Sequence, residues 1–181
     1  DSRISSGPGK YSYLGCGFSD ADLTRHKIPH LICDDIMKIA PGIFAAGNFP
    51  RVYDFETIPA KFVKWTGSRM VPDTFEDEIV LVLERPQGLI VLTGCSHPGI
   101  LNILSAVQER FGSPIQAVIG GIHLSKADDK RLDQTMSLLK EQHIRFLAFN
   151  HCSGDKVSQW LEKDGEMEWC YLGSGDSLVF S

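Results

Sequence analysis

Three times in its second half, the chain places a histidine between an apolar run and a helix-like segment. These are His97 in LIVLTGCSHPGILNIL, His123 in AVIGGIHLSKADD and His151 in RFLAFNHCSGDKV. An apolar run followed by apolar residues at every third or fourth position predicts a buried strand and then an amphipathic helix. Strands that alternate with helices form a parallel sheet with right-handed crossover connections. The sequence therefore predicts an α/β fold.

Other segments predict the elements around this repeated pattern. EIVLVLERPQGLIVLT predicts a hairpin of two apolar strands, and its nearly continuous apolar character predicts that both faces are covered. Residues 1–40 are expected to be loop with a short helix, capped by Ser19 or Asp20. The final strands are expected at EWCYL and SLVF. Helices are expected over residues 100–111, around 132–139 and after Ser153.

Composition limits the class of protein. A chain of 181 residues that is 43% hydrophobic is long enough for one domain segment, residues 1–181, with a buried core. A net charge of −5 without a basic tract argues against a nucleic-acid partner, and no apolar run approaches the roughly 20 residues of a membrane span. Five cysteines without framework spacing favour free thiols and a cytoplasmic location. We expect a small-molecule substrate, and a homo-oligomer is left open.

The three histidines predict a metal site. The carboxyl ends of parallel strands meet at one edge of the sheet, where α/β proteins bind ligands. Imidazole suits zinc, iron and related ions, and a thiolate can complete the shell. The sequence predicts one or two divalent ions, zinc or else iron or manganese, held by His97, His123, His151 and Cys95. The alternative is that each histidine is a hydrogen-bonded structural residue, while Cys152 is a ligand or a small buried apolar residue.

Two further segments contain candidate site residues. Asp77 and Glu78 in PDTFEDE are predicted catalytic residues, acting as base or ligand together with Asp73, and a solvated strand edge is the alternative. Arg51 is predicted to bind a substrate phosphate or carboxylate with its planar guanidinium, and Phe55 to stack on a substrate ring. A salt bridge from Arg51 to an acidic residue of its own loop is the structural alternative.

Between about residues 40 and 154, five motifs resemble the metallo-β-lactamase superfamily, and within it the dihydropterin–ribofuranosylaminobenzene 5′-phosphate synthase branch. The motifs are GNFPRVYDFE, PDTFEDEIVLVL, LTGCSHPGILNIL, VIGGIHL and HCSG. The resemblance implies the C-terminal half of a four-layer αββα sandwich. It also implies a metal-dependent hydrolase or synthase, in which metal-activated water acts on a small ester, phosphoester or pterin-like substrate. By this resemblance His151 looks like the superfamily's final histidine ligand, and Cys95 stands where many relatives have a bridging aspartate.

The superfamily's His-x-His-x-Asp-His motif does not occur in the sequence. The resemblance therefore implies that residues 1–181 are the C-terminal part of the domain and need an N-terminal half that supplies this motif. The alternative function is a non-catalytic fragment or binding module. A thiol-based redox role for Cys95 is a third possibility.

Overall fold

The computed structural model describes residues 2–180, which form two compact units. The smaller unit combines the chain up to Ile32 with Ile58–Phe75, and the larger unit combines Cys33–Thr57 with the chain from Glu76 onward. All the histidines, cysteines, carboxylates and loop residues predicted above as site residues belong to the larger unit, except Asp73.

The described residues contain eleven strands and four helices. In chain order they are β1 (Ser2–Gly7), β2 (Lys10–Tyr13), α1 (Asp20–Arg25), β3 (Ile36–Ala40), β4 (Ile43–Gly47), β5 (Phe62–Trp65), β6 (Met70–Pro72), β7 (Ile79–Arg85), β8 (Gly88–Thr93), α2 (Ile100–Phe111), β9 (Ile115–Gly120), α3 (Asp129–Glu141), β10 (Phe146–Phe149), α4 (Asp155–Asp164) and β11 (Glu168–Tyr171).

The smaller unit is an antiparallel sheet in the order β2-β1-β5-β6, with the short helix α1. Ser19 caps α1 as predicted, because its side chain accepts a hydrogen bond from the Asp22 N–H while the Asp22 carboxylate accepts one from the Ser19 N–H. The strands β1 and β2 were not expected within residues 1–40. Their polar, serine-containing sequences lack the apolar alternation by which strands are recognised.

The larger unit contains a seven-stranded sheet in the order β11-β10-β9-β8-β7-β4-β3. Strands β8 to β11 run parallel, and β7, β4 and β3 are antiparallel to their neighbours. The predicted parallel strand–helix alternation is therefore confirmed, as are the helices α2, α3 and α4 and the β7–β8 hairpin.

The main core lies between one face of this sheet and the helices α2, α3 and α4. Alternate residues of several strands enter it, such as Val80 and Val82 of β7. The other alternate residues of β7, Ile79 and Leu81, are 45% and 37% exposed. The prediction that both faces of the hairpin are covered is therefore wrong for β7, because alternating side chains of a strand point to opposite faces of the sheet.

The expected strand at SLVF is also wrong. Residues 177–180 follow β11 without regular secondary structure. This segment is nevertheless anchored, because the Phe180 ring packs edge-on against Phe146 at 5.9 Å and its carbonyl accepts a hydrogen bond from Arg85.

The longest helix of the structure, α3, has 13 residues. Within residues 2–180, none of the helices combines the length and the apolar character that crossing a membrane requires.

Candidate metal centre

Three loops of the larger unit connect a parallel strand to the helix that follows it. We call them the first, second and third rim loops: residues 94–99 between β8 and α2, 121–128 between β9 and α3, and 150–154 between β10 and α4. Because β8, β9 and β10 are adjacent and parallel, these loops leave the sheet at the same edge. The three predicted histidines are thereby brought to one rim.

Hydrogen bonds join the rim loops to one another. The Gly121 N–H donates to the Gly94 carbonyl at 2.9 Å, and the buried Ser96 hydroxyl donates to the Gly121 carbonyl at 2.7 Å. The Ile122 N–H donates to the buried Ser153 hydroxyl oxygen at 3.2 Å. The small residues of the three motifs thus act as links that hold the rim in one arrangement.

Each rim loop also contains a non-glycine residue in the left-handed backbone region. The φ angles are 60° at Ser96, 51° at His123 and 50° at His151. A side chain in this region costs on the order of 1–2 kcal/mol, which glycine would avoid. The tertiary structure therefore maintains both His123 and His151 in a backbone conformation that is unfavourable for most side chains.

Glu78 orients His97. Its Oε2 lies 2.7 Å from His97 Nδ1, and its Oε1 accepts a hydrogen bond from the Ser96 N–H at 2.8 Å. Burial by itself would raise the pKa of Glu78. This effect is outweighed by the hydrogen bond with His97, the charge of His97 and the hydrogen bonds from the Ser96 and His97 amides. The pKa of Glu78 is therefore below its ordinary value. The ionised carboxylate only accepts, so Nδ1 is the protonated nitrogen, which in a neutral ring leaves the lone pair on Nε2.

The strand register explains why Glu78 reaches the rim and Asp77 does not. In the β7–β8 pair, Leu81 lies opposite Leu92, and the same antiparallel register continued beyond the strand brings residue 78 level with Cys95. Successive side chains alternate between the two faces of a strand, and Asp77 is exposed. Asp73, the third predicted carboxylate, belongs to the smaller unit.

The imidazoles of His97 and His123 are neighbours. Their ring centroids are 4.8 Å apart with an interplanar angle of 53°, and both residues are half-buried. His151 is exposed. Cys95, in the first rim loop, also lies near the third, because positive charge on His97 or on His151 would lower the pKa of its thiol.

Cys152, which the sequence left open as ligand or apolar filler, is the partner of Cys95. The Cys152 thiol donates to the Cys95 carbonyl oxygen at 3.4 Å, and each thiol shifts the pKa of the other. The interaction with Cys95 lowers the pKa of Cys152 to about 7. The same interaction, followed by burial, raises the pKa of Cys95, because the charge on the first sulfur opposes ionisation of the second.

The donor set fits a transition metal chemically, but only as part of a site. Neighbouring imidazoles, one oriented by a carboxylate, and a nearby thiol pair are zinc-type ligands with a supporting residue. In the part of the chain that the structure describes, however, no three histidine, cysteine, aspartate or glutamate side chains converge closely enough to hold an ion.

Two residues that sequence reasoning missed tie the loop at 48–57 to the start of α2. The side-chain oxygen of buried Asn102 accepts hydrogen bonds from the Val52 and Tyr53 N–H groups at 2.6 and 2.8 Å, and its amide donates to the Pro98 carbonyl at 2.9 Å. Glu56, 1% exposed, is the second of these residues. The only feature of the sequence that pointed to Asn102 was its position as a polar residue in the apolar first turn of α2.

Glu56 caps α2 from a distance of more than forty residues. Its carboxylate accepts hydrogen bonds from the Leu101 and Asn102 N–H groups at 3.1 and 2.9 Å, where the helix leaves N–H groups without intrahelical partners. Burial raises the pKa of Glu56, an effect opposed by these amides and by Arg131 and Arg51.

The predicted substrate-binding residues lie on this same loop. The Arg51 guanidinium donates a hydrogen bond to the Glu56 carbonyl oxygen. The half-buried Phe55 ring packs edge-on against Tyr53, with centroids 6.0 Å apart, and borders the core. Their contact with a substrate stays a prediction.

The similarity of this chain to known proteins agrees with the fold. It is 33% identical over 150 residues to 7,8-dihydropterin-6-methyl-4-(β-D-ribofuranosyl)-aminobenzene-5′-phosphate synthase of Methanocaldococcus jannaschii, a match that covers 81% of this chain and 51% of the synthase. It is 28% identical over 161 residues to an uncharacterized protein of the same archaeon, covering 89% of this chain and 59% of that protein.

A solved structure provides the decisive comparison. The crystal structure of Tm1679, a metal-dependent hydrolase of the β-lactamase superfamily, superposes with a TM-score of 0.77 and 28% sequence identity, covering 84% of this chain and 59% of Tm1679. In sequence and in fold the chain is similar to members of the metallo-β-lactamase superfamily. The resemblance seen in the five motifs and the predicted fold class are both confirmed.

Two further results limit what this similarity implies. No family model matches the chain. The chain also spans only about half to three fifths of the length of these relatives, so activity, substrate and partners of the whole protein are matters for proposal.

Proposed function

We propose that this protein is an enzyme of the metallo-β-lactamase superfamily that uses a divalent transition metal at the rim of its seven-stranded sheet. The observation that carries the proposal is the Glu78–His97 pair at 2.7 Å with the His123 ring beside it, 4.8 Å away between centroids. A buried core needs no such grouping of carboxylate and imidazoles, whereas a metal site does.

In this proposal His97, His123, His151 and Cys95 are contributing ligands of one or two ions, zinc or else iron or manganese, and each ion also needs donors from outside these residues. Such an ion, when bound, supplies a Lewis acid that polarises a substrate oxygen and makes water more acidic. One or two ions are compatible with this donor set.

The chain's own residues prepare the site. Glu78 keeps the proton on His97 Nδ1 and so directs the Nε2 lone pair away from itself. The links between the rim loops through Ser96 and Ser153 hold the imidazole-bearing turns in place. Glu78 therefore acts as a positioning residue for a ligand.

We further propose that additional ligands complete the site. The support is that two imidazoles are adjacent while no three donor side chains within residues 2–180 could hold an ion. A segment with the His-x-His-x-Asp-His motif, which these 181 residues lack, would supply donors of the required kind.

The substrate proposed is a small organic phosphate ester or pterin-like molecule. The relative at 33% identity is a synthase of a dihydropterin aminobenzene ribose phosphate, whereas Tm1679 is a hydrolase. The higher identity favours a synthase-type reaction, and hydrolysis of a small ester is the second candidate. Arg51 and Phe55 are proposed to contact the phosphate and the ring, with support from their place on the loop that Asn102 attaches to α2.

Metal content and zinc titration test this function. Purified protein that includes the segment supplying the additional ligands should contain about one to two equivalents of zinc, iron or manganese per chain. His97→Ala and His123→Ala should each lower zinc affinity strongly in isothermal titration calorimetry. The exposed His30, in the smaller unit, provides the matched control, and His30→Ala should bind zinc like the wild type.

Turnover is then compared on two substrate types, a dihydropterin with an aminobenzene ribose phosphate and a series of aryl phosphoesters. Two results together would favour the binding-module alternative: the metal-loaded protein turns over neither substrate type, and the two histidine substitutions leave the zinc affinity unchanged.

A further inference from the structure

Cys95 and Cys152 are separated by 57 positions in the sequence but meet at the rim. The Cys152 sulfur lies 3.4 Å from the Cys95 carbonyl oxygen, and each thiol is the largest influence on the pKa of the other. Both residues are half-buried and are free thiols. A small solute can therefore reach both thiols, which lie in neighbouring loops of the rim.

Gly121 of the second rim loop makes this contact possible. A Cβ atom built on Gly121 would lie 2.6 Å from the Cys152 sulfur and 3.3 Å from the Cys95 Cα. Both cysteines therefore pack against the same point of the backbone, and any side chain at position 121 would force the Cys152 sulfur to move. The absence of a side chain lets the third rim loop approach the first.

The other cysteines have different surroundings. The exposed Cys16 thiol donates to the Phe18 carbonyl at 3.4 Å, and the Cys33 thiol contacts the Ala45 carbonyl at 3.6 Å. In these contacts the oxygen belongs to a residue that is not a cysteine. Cys152 differs because the oxygen that it contacts belongs to Cys95, and both cysteines pack against Gly121.

We propose that Cys95 and Cys152 form an oxidation site, at which a small hydroperoxide converts the two thiols into a disulfide that joins the first and third rim loops. In the first step one sulfur attacks the peroxide, the O–O bond breaks, and a sulfenic acid and water form when hydrogen peroxide is the oxidant. In the second step the other thiol attacks the sulfenic sulfur, the S–S bond forms, the S–O bond breaks and water leaves. The two thiols lose two electrons and two protons, and the peroxide is reduced to two waters.

The disulfide would change the site of the proposed function, on which this consequence rests. Cys95 would cease to be a thiolate donor, and the turn between Cys95 and His97 would be linked covalently to the residue after His151. Disturbing the support of a metal site typically costs 10- to 100-fold in affinity. We therefore expect oxidation to weaken zinc binding by about tenfold or more.

Peptide mapping of the wild-type protein tests the oxidation site directly. Reduced, metal-free protein is treated with hydrogen peroxide in the presence of a chelator, remaining thiols are alkylated, and the protein is digested without reduction for mass spectrometry. We expect a linked peptide pair containing Cys95 and Cys152, two hydrogen atoms lighter than the separate peptides and separated again by dithiothreitol. Cys16, Cys33 and Cys170 should stay alkylated.

Two substitutions complete the test. Cys152→Ser should abolish the linked pair, whereas the matched Cys170→Ser should leave it unchanged. Recovery of Cys95 and Cys152 as separate alkylated or sulfinic peptides, under conditions that oxidise the other cysteines, would overturn the proposal. This map needs only wild-type protein, so a substitution that prevents folding does not affect it.

Zinc titration before and after oxidation tests the consequence. Equal affinity of the reduced and the disulfide-linked protein would show that the disulfide does not control the site. Failure of the reduced protein to bind zinc would instead contradict the metal proposal, while the linked peptide would still decide whether the oxidation site exists.

Discussion

Glu78→Gln should reduce metal affinity by changing which nitrogen of His97 carries the proton. The two Glu78 oxygens accept from the Ser96 N–H at 2.8 Å and contact His97 Nδ1 at 2.7 Å. Glutamine has one acceptor oxygen and one NH₂ group. If its oxygen keeps the Ser96 bond, its NH₂ faces Nδ1, which must then accept. The imidazole proton moves to Nε2, where a metal would bind.

The size of the effect follows from this single altered contact. Loss of a supporting partner typically lowers metal affinity 10- to 100-fold, which corresponds to about 1.4–2.7 kcal/mol of binding free energy. The free energy of unfolding should change by only about 1 kcal/mol or less, because one charge-assisted hydrogen bond is lost while a largely buried charge is removed.

Two measurements check the prediction. Calorimetric zinc titration gives the affinity of Glu78→Gln against wild type, with Glu84→Gln as control because Glu84 is exposed on the same strand β7. Nitrogen-15 NMR of the imidazole reports the His97 tautomer in the metal-free protein. Wild-type affinity in Glu78→Gln, together with a proton still on Nδ1, would refute the reasoning.

Two further predictions concern the residues that attach the loop at 48–57 to α2. Asn102→Ala removes the acceptor of two backbone N–H groups of that loop and the donor to the Pro98 carbonyl. Urea denaturation should therefore show that the free energy of unfolding falls by about 2–4 kcal/mol. The control Gln108→Ala, on the exposed side of α2, should change it hardly at all. The pKa of Glu56 is raised, so the folded state holds the proton more tightly than the unfolded state. Protonation of Glu56 therefore stabilises the folded state. This contribution is complete below the ordinary pKa of 4.5 and is lost as pH rises through the folded pKa. Denaturation between pH 4 and 8 should therefore show wild type losing stability relative to Glu56→Gln as pH rises, and a constant difference would contradict this.

Much of the fold could be predicted because its signals are local. The apolar run 89–93 and the helical spacing of residues 100–111 each lie within one stretch of chain, and together they indicate a strand followed by a helix. The expected strand at SLVF failed because four apolar residues also suit an irregular segment that is held by contacts such as that of Phe180 with Phe146.

The candidate site was predictable only in part, for a related reason. Strand-to-helix loops of a parallel sheet must share an edge, so His97, His123 and His151 could be grouped from the chain order. Which residues of two adjacent strands lie opposite each other depends on the strand register. A shift of the register by one residue turns every side chain of a strand to the opposite face of the sheet. Asp77 and Glu78 were therefore indistinguishable in the sequence.

The sequence by itself determined the alternation of strands and helices from β7 to β11, the α/β class and the grouping of three histidines at one rim, because each follows from periodicity and chain order. Only the tertiary structure decided that Glu78 orients His97, that Cys152 meets Cys95, and that Glu56 caps α2. These contacts join residues 19 to 57 positions apart. They depend on strand register and on close packing against glycine, neither of which a local pattern of residues encodes.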